Sequence, residues 1–172
     1  MPTKTLLLLR HAKSAWGDQS QDDHDRPLNQ RGEGAADAMG ALLAASAPID
    51  LVLCSSSLRT RQTLDRIRGR LPTPPPVKIE PDLYLASGET LLGAVHSVAD
   101  EVASLLVVAH SPGVHQLAFD LVGSGDTAGR ARLQATYPTG ALAELSVDAG
   151  SWYEVAARSM ELVRFVAPRD LG

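Results

Sequence analysis

Short apolar runs, separated by longer segments of helical character, constrain the fold of this chain most strongly. LLLL at 6–9 and LLVVA at 105–109 are nearly continuous apolar runs, and LVLC at 51–54 is a third. Such runs are typical of strands that are buried on both faces of a parallel sheet. The pattern therefore predicts an α/β fold, with helices packed on a mostly parallel central sheet.

The segments between the apolar runs predict the helices. Most are rich in alanine and leucine, with serine or threonine near the start and proline near the end. We predict helices over 31–47, 59–71, 87–103 and 112–122, a loop over 123–130 (GSGDTAGR), and late strands over 141–147 and 151–166 joined by the turn DAGS.

Size, charge and composition limit the classes of function. A chain of 172 residues has the size of one domain, so we expect a single domain over 1–172. The formal net charge of −4 gives no general attraction to nucleic acid or an acidic membrane. The apolar runs are too short to cross a bilayer and no secretion signal precedes them, so we expect a cytoplasmic protein without a membrane partner. The single cysteine, Cys54, excludes an internal disulfide.

Three of the predicted strands end in residues that can bind and transfer phosphate. Arg10 and His11 follow the first strand, SSSLRTR at 55–61 follows the second, and His110 ends the strand at 105–109. If these strands are parallel neighbours, their carboxyl ends bring two histidines and at least two arginines together. Guanidinium groups bind phosphate oxygens in pairs, and neighbouring cations keep an imidazole neutral and nucleophilic. The arrangement predicts phosphoryl transfer.

Other kinds of site fit these residues less well. A histidine at a strand end is often a hydrogen-bonded structural residue, and this interpretation stays open for His110 taken alone. His110 and His115 are five residues apart, which is poor spacing for two metal ligands on one helix face. The acidic segment 22–25 lacks the alternating oxygen ligands of a calcium loop, and Ser111 has no G-x-S-x-G context. We therefore expect no metal site and no serine nucleophile.

These motifs resemble those of the histidine phosphatase (phosphoglycerate mutase-like) superfamily. LLRHA at 8–12 resembles its Arg-His-Gly signature, SSSLRTRQT at 55–63 its second arginine motif, and VVAHSPG at 107–113 the strand with its second histidine. More narrowly, RHAKS, DRPLNQRGEGAADAM at 25–39 and the closing RFVAPRDL are similar to SixA-type phosphohistidine phosphatases. The resemblance implies a phosphatase with a three-layer α/β/α sandwich around a mostly parallel sheet, working without a metal or organic cofactor.

The resemblance also implies the roles of particular residues. His11 corresponds to the nucleophile that becomes phosphorylated, Arg10 and Arg59 to the residues that clamp the phosphate, and His110 to a hydrogen-bond donor to the same phosphate. Water then hydrolyses the phosphohistidine intermediate. Arg26 lies in a stretch similar to the family's Arg-Pro-Leu segment, where it either orients the loop and meets substrate or faces solvent.

Two positions depart from the family's pattern. Ala12 replaces the glycine of Arg-His-Gly, which alanine can do if the backbone does not need a positive φ. Leu85 stands where many relatives carry a glutamate that acts as the general acid. Glu89 and Asp82 are close by in sequence and are the candidates for that role and for substrate contact, although Glu89 is equally suited to capping the following helix.

The missing acid and the short chain both bear on the substrate. A phosphate ester expels an alkoxide that needs a proton, whereas a phosphohistidine protonated on its other ring nitrogen leaves as neutral imidazole. A chain of 172 residues also has little room for the lid that larger relatives insert over small metabolites. We expect protein phosphohistidine as the substrate. A small phosphorylated metabolite, either a phosphomonoester or a pyrophosphate, and a non-catalytic phosphate-binding module remain the alternatives.

Overall fold

The structure is a computed structural model that describes residues 1–172, and a seven-stranded sheet forms its centre. The strands are β1 (Thr3–Arg10), β2 (Leu51–Ser55), β3 (Val77–Glu80), β4 (Ser104–Ala109), β5 (Val122–Gly125), β6 (Leu142–Asp148) and β7 (Met160–Val166). Their order across the sheet is β3-β2-β4-β1-β6-β7-β5. Four neighbouring pairs are parallel and two are antiparallel, so the predicted mostly parallel sheet is confirmed.

Helices cover both faces of this sheet. They are α1 (Gln30–Ala44), α2 (Leu58–Arg68), α3 (Gly88–His96), α4 (Gly113–Leu121) and α5 (Thr127–Ala135). One core cluster joins the sheet to α1 and α2, and a larger cluster joins the opposite face to α3, α4 and α5. The three-layer α/β/α sandwich is therefore confirmed. None of the helices combines the length and apolar character needed to cross a membrane.

The four leucines of the run LLLL pack into both core clusters. Leu6 and Leu8 pack on the side of α3 and α4, whereas Leu7 and Leu9 pack on the side of α1 and α2. Successive side chains of a strand point to opposite faces, so only a central strand can bury four consecutive leucines. Each buried leucine stabilises the fold by about 2 kcal/mol. This packing fixes β1 in the middle of the molecule.

The carboxyl ends of β1, β4 and β2 lie together at one edge of the sheet, here called the C-terminal edge. In the parallel register, Arg10 pairs with Ala109 of β4, and Cys54 of β2 pairs with Val108 of the same strand. The residues at the strand ends were predicted to converge if their strands are parallel neighbours. β1, β4 and β2 meet this condition. The residues that follow these three strands therefore leave the sheet side by side.

Residues 123–130, predicted to be a loop, instead contain most of β5 and the start of α5. Gly125 makes the turn between the two elements with a φ of +111°, a conformation that suits glycine. The Asp126 side chain then accepts a hydrogen bond from the backbone N–H of Gly129 and caps α5. Gly125 and Asp126, which indicated a loop, therefore form the turn and the N-cap of α5.

Other boundaries also differ from the predictions: the helices predicted over 31–47 and 59–71 end three residues early, at Ala44 and Arg68, and two differences are larger. The helix predicted over 87–103 ends at His96, because the residues after it form tight turns and Asp50 accepts hydrogen bonds from the backbone N–H groups of Ala103 and Ser104. The strand predicted over 151–166 begins only at Met160, after a short 3-10 helix at Trp152–Glu154. The edge strand β3 was not predicted.

Candidate active site

β1 carries Arg10 and His11 to the C-terminal edge on a well-bonded backbone. The N–H of His11 donates to the carbonyl of Ala109 (3.1 Å), and the N–H of Arg10 donates to the carbonyl of Ala141 (3.1 Å). The carbonyl of His11 accepts a hydrogen bond from the N–H of Gly140 (2.9 Å). The imidazole, only 7% exposed, is thus held at the end of the central strand with little freedom.

One contact of His11 sets the position of its proton. Its Nδ1 lies 2.7 Å from the carbonyl oxygen of Ala12. A carbonyl only accepts hydrogen bonds, so Nδ1 carries the proton in the neutral ring and Nε2 keeps its lone pair. The backbone of the residue after His11 therefore selects the tautomer in which Nε2 is the nucleophilic nitrogen.

Alanine is compatible with the backbone at position 12. The non-glycine residues with a positive φ are Leu85 and Arg158, so Ala12 does not occupy the conformation that favours glycine. Its side chain is fully buried, and its N–H donates to the hydroxyl of Thr63 (3.0 Å). The departure from Arg-His-Gly leaves the position of His11 intact.

Arg59 reaches the same place from the first turn of α2. Ser57 caps this helix by accepting a hydrogen bond from the N–H of Thr60, which fixes the turn directly after β2. The buried guanidinium of Arg59 contacts Asp23 twice, donating to its backbone carbonyl (2.7 Å) and pairing with its carboxylate (3.0 Å). It also lies 3.4 Å from Nδ1 of His110.

His110 lies beside this guanidinium and close to His11. The centroids of the two imidazole rings are 5.3 Å apart. Arg59 can only donate, so Nδ1 of His110 accepts, and Nε2 donates to the hydroxyl of Ser55 at 2.8 Å. In the free site both nitrogens of His110 are engaged, so His110 must take up a proton at Nδ1 before that atom can donate to a phosphate.

Burial and surrounding cations keep both histidines neutral. Burial, reinforced by Arg59, Arg10 and Arg26, lowers the pKa of His11 to about 4, although the bond to the Ala12 carbonyl opposes the shift. Burial and the neighbouring His11 and Arg59 lower the pKa of His110 to about 3. Both imidazoles are therefore uncharged at neutral pH, the form in which a ring nitrogen can attack phosphorus.

Arg10 and Arg59, at the centre of the site, each have a side-chain N–H donor without a hydrogen-bond partner. The Nε atoms of Arg10 and Arg59 are buried and have no hydrogen-bond partner. Burial and the nearby Arg59 also lower the pKa of Arg10 from its usual value. Buried donors without partners and adjacent like charges are both unfavourable unless an anion satisfies them. Such a site is suited to an oxyanion such as phosphate.

The predicted residues Arg10, His11, Arg59 and His110 therefore lie together, and they are called the central cluster below. Arg26 lies beside it and does not face solvent, so that alternative is wrong: its side chain is buried and pairs with Asp23 (3.1 Å). Arg26 also stacks on the ring of Trp16, with 3.6 Å between the guanidinium carbon and the ring centroid.

Glu89 and Asp82 make no hydrogen bond or ion pair with the central cluster. Glu89 is exposed in the first turn of α3, where it lines a separate cavity of about 500 Å³ with His115 and Gln116. Asp82 is exposed in a short 3-10 helix after β3 and lines another cavity. In this structure neither carboxylate is positioned to give a proton to a group held by Arg10 and Arg59.

The carboxylate that does meet the cluster is Asp23, which the sequence analysis did not single out as a site residue. It pairs with Arg59 and Arg26, and it accepts a hydrogen bond from the hydroxyl of Tyr84. The bond from Tyr84 and the arginine contacts lower the pKa of Asp23 to about 2. The Tyr84 ring packs edge-on against His110, 5.4 Å between centroids. Tyr84 and Ser55, the hydrogen-bond partner of His110, were also not among the predicted site residues.

No group of three or more histidine, cysteine, aspartate or glutamate side chains is arranged to hold a metal ion. The polar groups of the site are instead guanidinium, imidazole and hydroxyl groups, with one ionised carboxylate. This set of groups binds oxyanions rather than cations.

Comparisons with known proteins agree with this geometry. Residues 6–87 match the sequence profile of the Histidine phosphatase superfamily (branch 1). An uncharacterized protein of Mycobacterium leprae is 37% identical over 166 residues, covering 94% of this chain and 100% of that protein. The structure of SixA from Nakamurella multipartitia is 30% identical, with a TM-score of 0.85 over 98% of both chains. The chain belongs to the histidine phosphatase superfamily.

Within the histidine phosphatase superfamily, the chain is of the SixA type, and it is a phosphatase. SixA from Agrobacterium tumefaciens is 30% identical, with a TM-score of 0.82 over 98% of this chain and 99% of that chain. The protein histidine phosphatase SixA, solved in complex with tungstate, is 25% identical, with a TM-score of 0.77 over 98% of this chain and 99% of that chain. These relatives match nearly the full length of the chain.

Proposed function

We propose that this phosphatase hydrolyses phosphohistidine on proteins, through a covalent phosphate on Nε2 of His11. The observation that carries the proposal is the protonation pattern of the site. It contains a neutral nucleophilic histidine and no protonated carboxylate next to it. Such a site can transfer phosphate readily only from a leaving group that needs no proton from the enzyme.

In the first step the lone pair of His11 Nε2 attacks phosphorus and the bond to the substrate nitrogen breaks. The substrate imidazole, protonated on its other nitrogen, leaves as a neutral ring. Arg10 and Arg59 bind the equatorial oxygens, where the charge of a loose transition state is spread. The unpartnered Nε atoms of both arginines support this role.

The hydrogen bond to Ala12 assists the second step. Phosphorylation at Nε2 leaves the proton on Nδ1, which the Ala12 carbonyl holds at 2.7 Å in the free site. The intermediate is then a cationic phosphoimidazole, whose ring leaves as neutral imidazole when water attacks phosphorus. His11 is thereby restored in its starting tautomer, and phosphate is released.

Asp23 argues against ester hydrolysis. It is the one carboxylate that bonds to the central cluster, and with a pKa of about 2 it is ionised at any working pH. An ionised carboxylate cannot protonate a departing alkoxide. The similar protein histidine phosphatase SixA, whose structure was solved in complex with tungstate, a tetrahedral oxyanion, supports the same substrate class.

The test compares turnover of a phosphohistidine protein with that of a panel of phosphomonoesters and pyrophosphate. We expect kcat/KM for the phosphohistidine protein to exceed that for every ester by about 100-fold or more, the contribution that a general acid makes to ester cleavage. Glu89→Gln and Asp82→Asn should leave phosphohistidine turnover within about twofold of wild type. Faster turnover of an ester that Glu89→Gln selectively slows would establish the small-molecule alternative instead.

A further inference from the structure

A second basic pocket lies on the C-terminal edge, outside the central cluster. It has a volume of about 590 Å³ and opens between the first half of α1 and the segment that follows β7. Three cations line it, Lys13, Arg31 and Arg169, and no acidic side chain does; Gly172, the last residue of the printed sequence, also lines it. Ala38 and Pro168 contribute to its apolar walls. In a chain of net charge −4, three cations around one cavity form a local positive potential.

These cations have no partners within the protein. Lys13, Arg31 and Arg169 are exposed, and none of them forms an ion pair or donates a side-chain hydrogen bond. The acidic residues close to them in the chain are engaged elsewhere. Glu33 pairs with Arg66 on α2, and Asp170 pairs with Arg132 on α5. The charge of the pocket is therefore available to a ligand.

Arg31 is unfavourably placed for the stability of its own helix. It lies in the first turn of α1, where the helix dipole favours anions and disfavours cations. The neighbouring Lys13 adds a like charge to the same cavity. A bound anion would interact favourably with both side chains and with the helix dipole at once.

The pocket shares its wall with the catalytic segment. Lys13 follows the nucleophile by two residues, and Thr139 precedes Gly140, whose N–H donates to the carbonyls of Arg10 (3.1 Å) and His11 (2.9 Å). A protein that carries its phosphate to His11 has flanking residues that extend beyond the central cluster, and this cavity lies beside the same backbone segment. A small phosphorylated metabolite held by the central cluster does not need it.

We propose that this pocket binds carboxylates of an acidic segment that flanks the phosphohistidine of a protein substrate. The inference rests on the proposed function and adds a recognition site to it. Arg31 and Arg169 bind the carboxylates, while the alanine and proline walls pack against the aliphatic parts of the segment. The phosphate is then bound by one set of cations and its carrier protein by another, which gives selectivity without changing the chemistry.

The experiment uses two phosphohistidine peptides of equal length, one with glutamates beside the phosphohistidine and one with serines there. It also uses an unphosphorylated acidic peptide, whose binding is followed by fluorescence anisotropy and does not depend on turnover. The test variant is the double substitution Arg31→Glu/Arg169→Glu, which leaves the central cluster untouched. Lys78→Glu is a control for charge reversal elsewhere on the surface, since Lys78 is exposed on the edge strand β3, away from this pocket.

We expect wild type and Lys78→Glu to favour the acidic peptide by about tenfold in kcat/KM, and this preference to weaken with added salt. The double variant should lose the preference and the anisotropy signal, yet hydrolyse the serine peptide normally. Equal turnover of the two peptides by wild type, or a preference that survives in the double variant, would overturn the proposal. If wild type hydrolyses neither peptide, the proposed function fails, and the anisotropy measurement alone decides whether the pocket binds the acidic segment.

Discussion

His11 and His110 work under unusual electrostatic conditions for histidines. Each is buried among arginines, and their pKa values fall to about 4 and about 3. In the proposed mechanism, the arginines that bind phosphate thus also help to keep the nucleophile His11 uncharged. Once a phosphate dianion arrives, its charge offsets the arginines and favours a proton on Nδ1 of His110, which then donates to it.

The charge and tautomer of His11 can be observed directly by NMR. We expect ¹⁵N shifts of its imidazole to report a neutral ring protonated at Nδ1 from pH 5.5 to 7.5, with a titration midpoint at about 4. A midpoint near 6.5, or a ring protonated at Nε2, would contradict this account.

The same pKa values predict how stability responds to acid. In the unfolded chain both histidines have the ordinary pKa of about 6.5, so between about pH 4 and 6.5 the unfolded state binds more protons than the folded state. The contribution of these groups to stability is complete above pH 6.5 and is lost as the pH falls through this window. Urea unfolding at pH 5 and pH 7 should show the decrease, and His11→Gln should make it smaller.

The sequence predicted some of these residues and missed others for a physical reason. Arg10, His11, Arg59 and His110 follow strands or begin a helix directly after one, so the topology brings them together. Asp23 begins a short 3-10 helix (Asp23–Asp25) in the connection between β1 and α1, and the path of this connection depends on contacts between distant residues. The hydrogen bonds of Asp23 to Arg59 and Tyr84 join residues 36 and 61 positions apart in the chain. No local sequence pattern indicates such contacts.

The position of Arg59 depends on the start of α2. Ser57 caps the helix, and Arg59 extends from the same turn to His110. We expect Ser57→Ala to destabilise the protein by about 1 kcal/mol, as loss of a cap does, and to lower kcat/KM by about tenfold because Arg59 loses its fixed position. Urea unfolding and steady-state kinetics measure the two effects.

Ser87→Ala provides the control for this prediction. Ser87 caps α3 in the same way, by accepting from the N–H of Thr90, but α3 carries no residue of the central cluster. Its loss should cost a similar amount of stability and leave kcat/KM within about twofold of wild type. Equal kinetic effects of the two substitutions would show that the cap of α2 has no special role.

Elements with strong periodicity or long apolar runs were predicted well, and those governed by turns were not. β1, β2 and β4 are buried for most of their length, so each contains a run of four or more apolar residues. β5 has four residues, two of them glycine, and it forms because it pairs with β7. Such an edge strand owes its existence to its neighbour, which its own sequence does not reveal.

The molecule as a whole works by bringing three strand ends to one edge of a sheet. Its overall charge is negative, yet the C-terminal edge presents Arg10, Arg26 and Arg59 around His11. The core fixes β1 between β4 and β6, and with it the position of Arg10 and His11. A rigidly held site of this kind agrees with the proposed transfer of phosphate from a protein surface.

Brief exposure to a ³²P-labelled phosphohistidine protein would show whether phosphate is transferred to His11. We expect label on the wild-type enzyme that is stable to alkali and labile to acid, as a phosphoimidazole is. His110→Ala should still become labelled, only more slowly, whereas His11→Ala should carry no label. Label of the same stability on folded His11→Ala would contradict the assignment of His11 as the nucleophile.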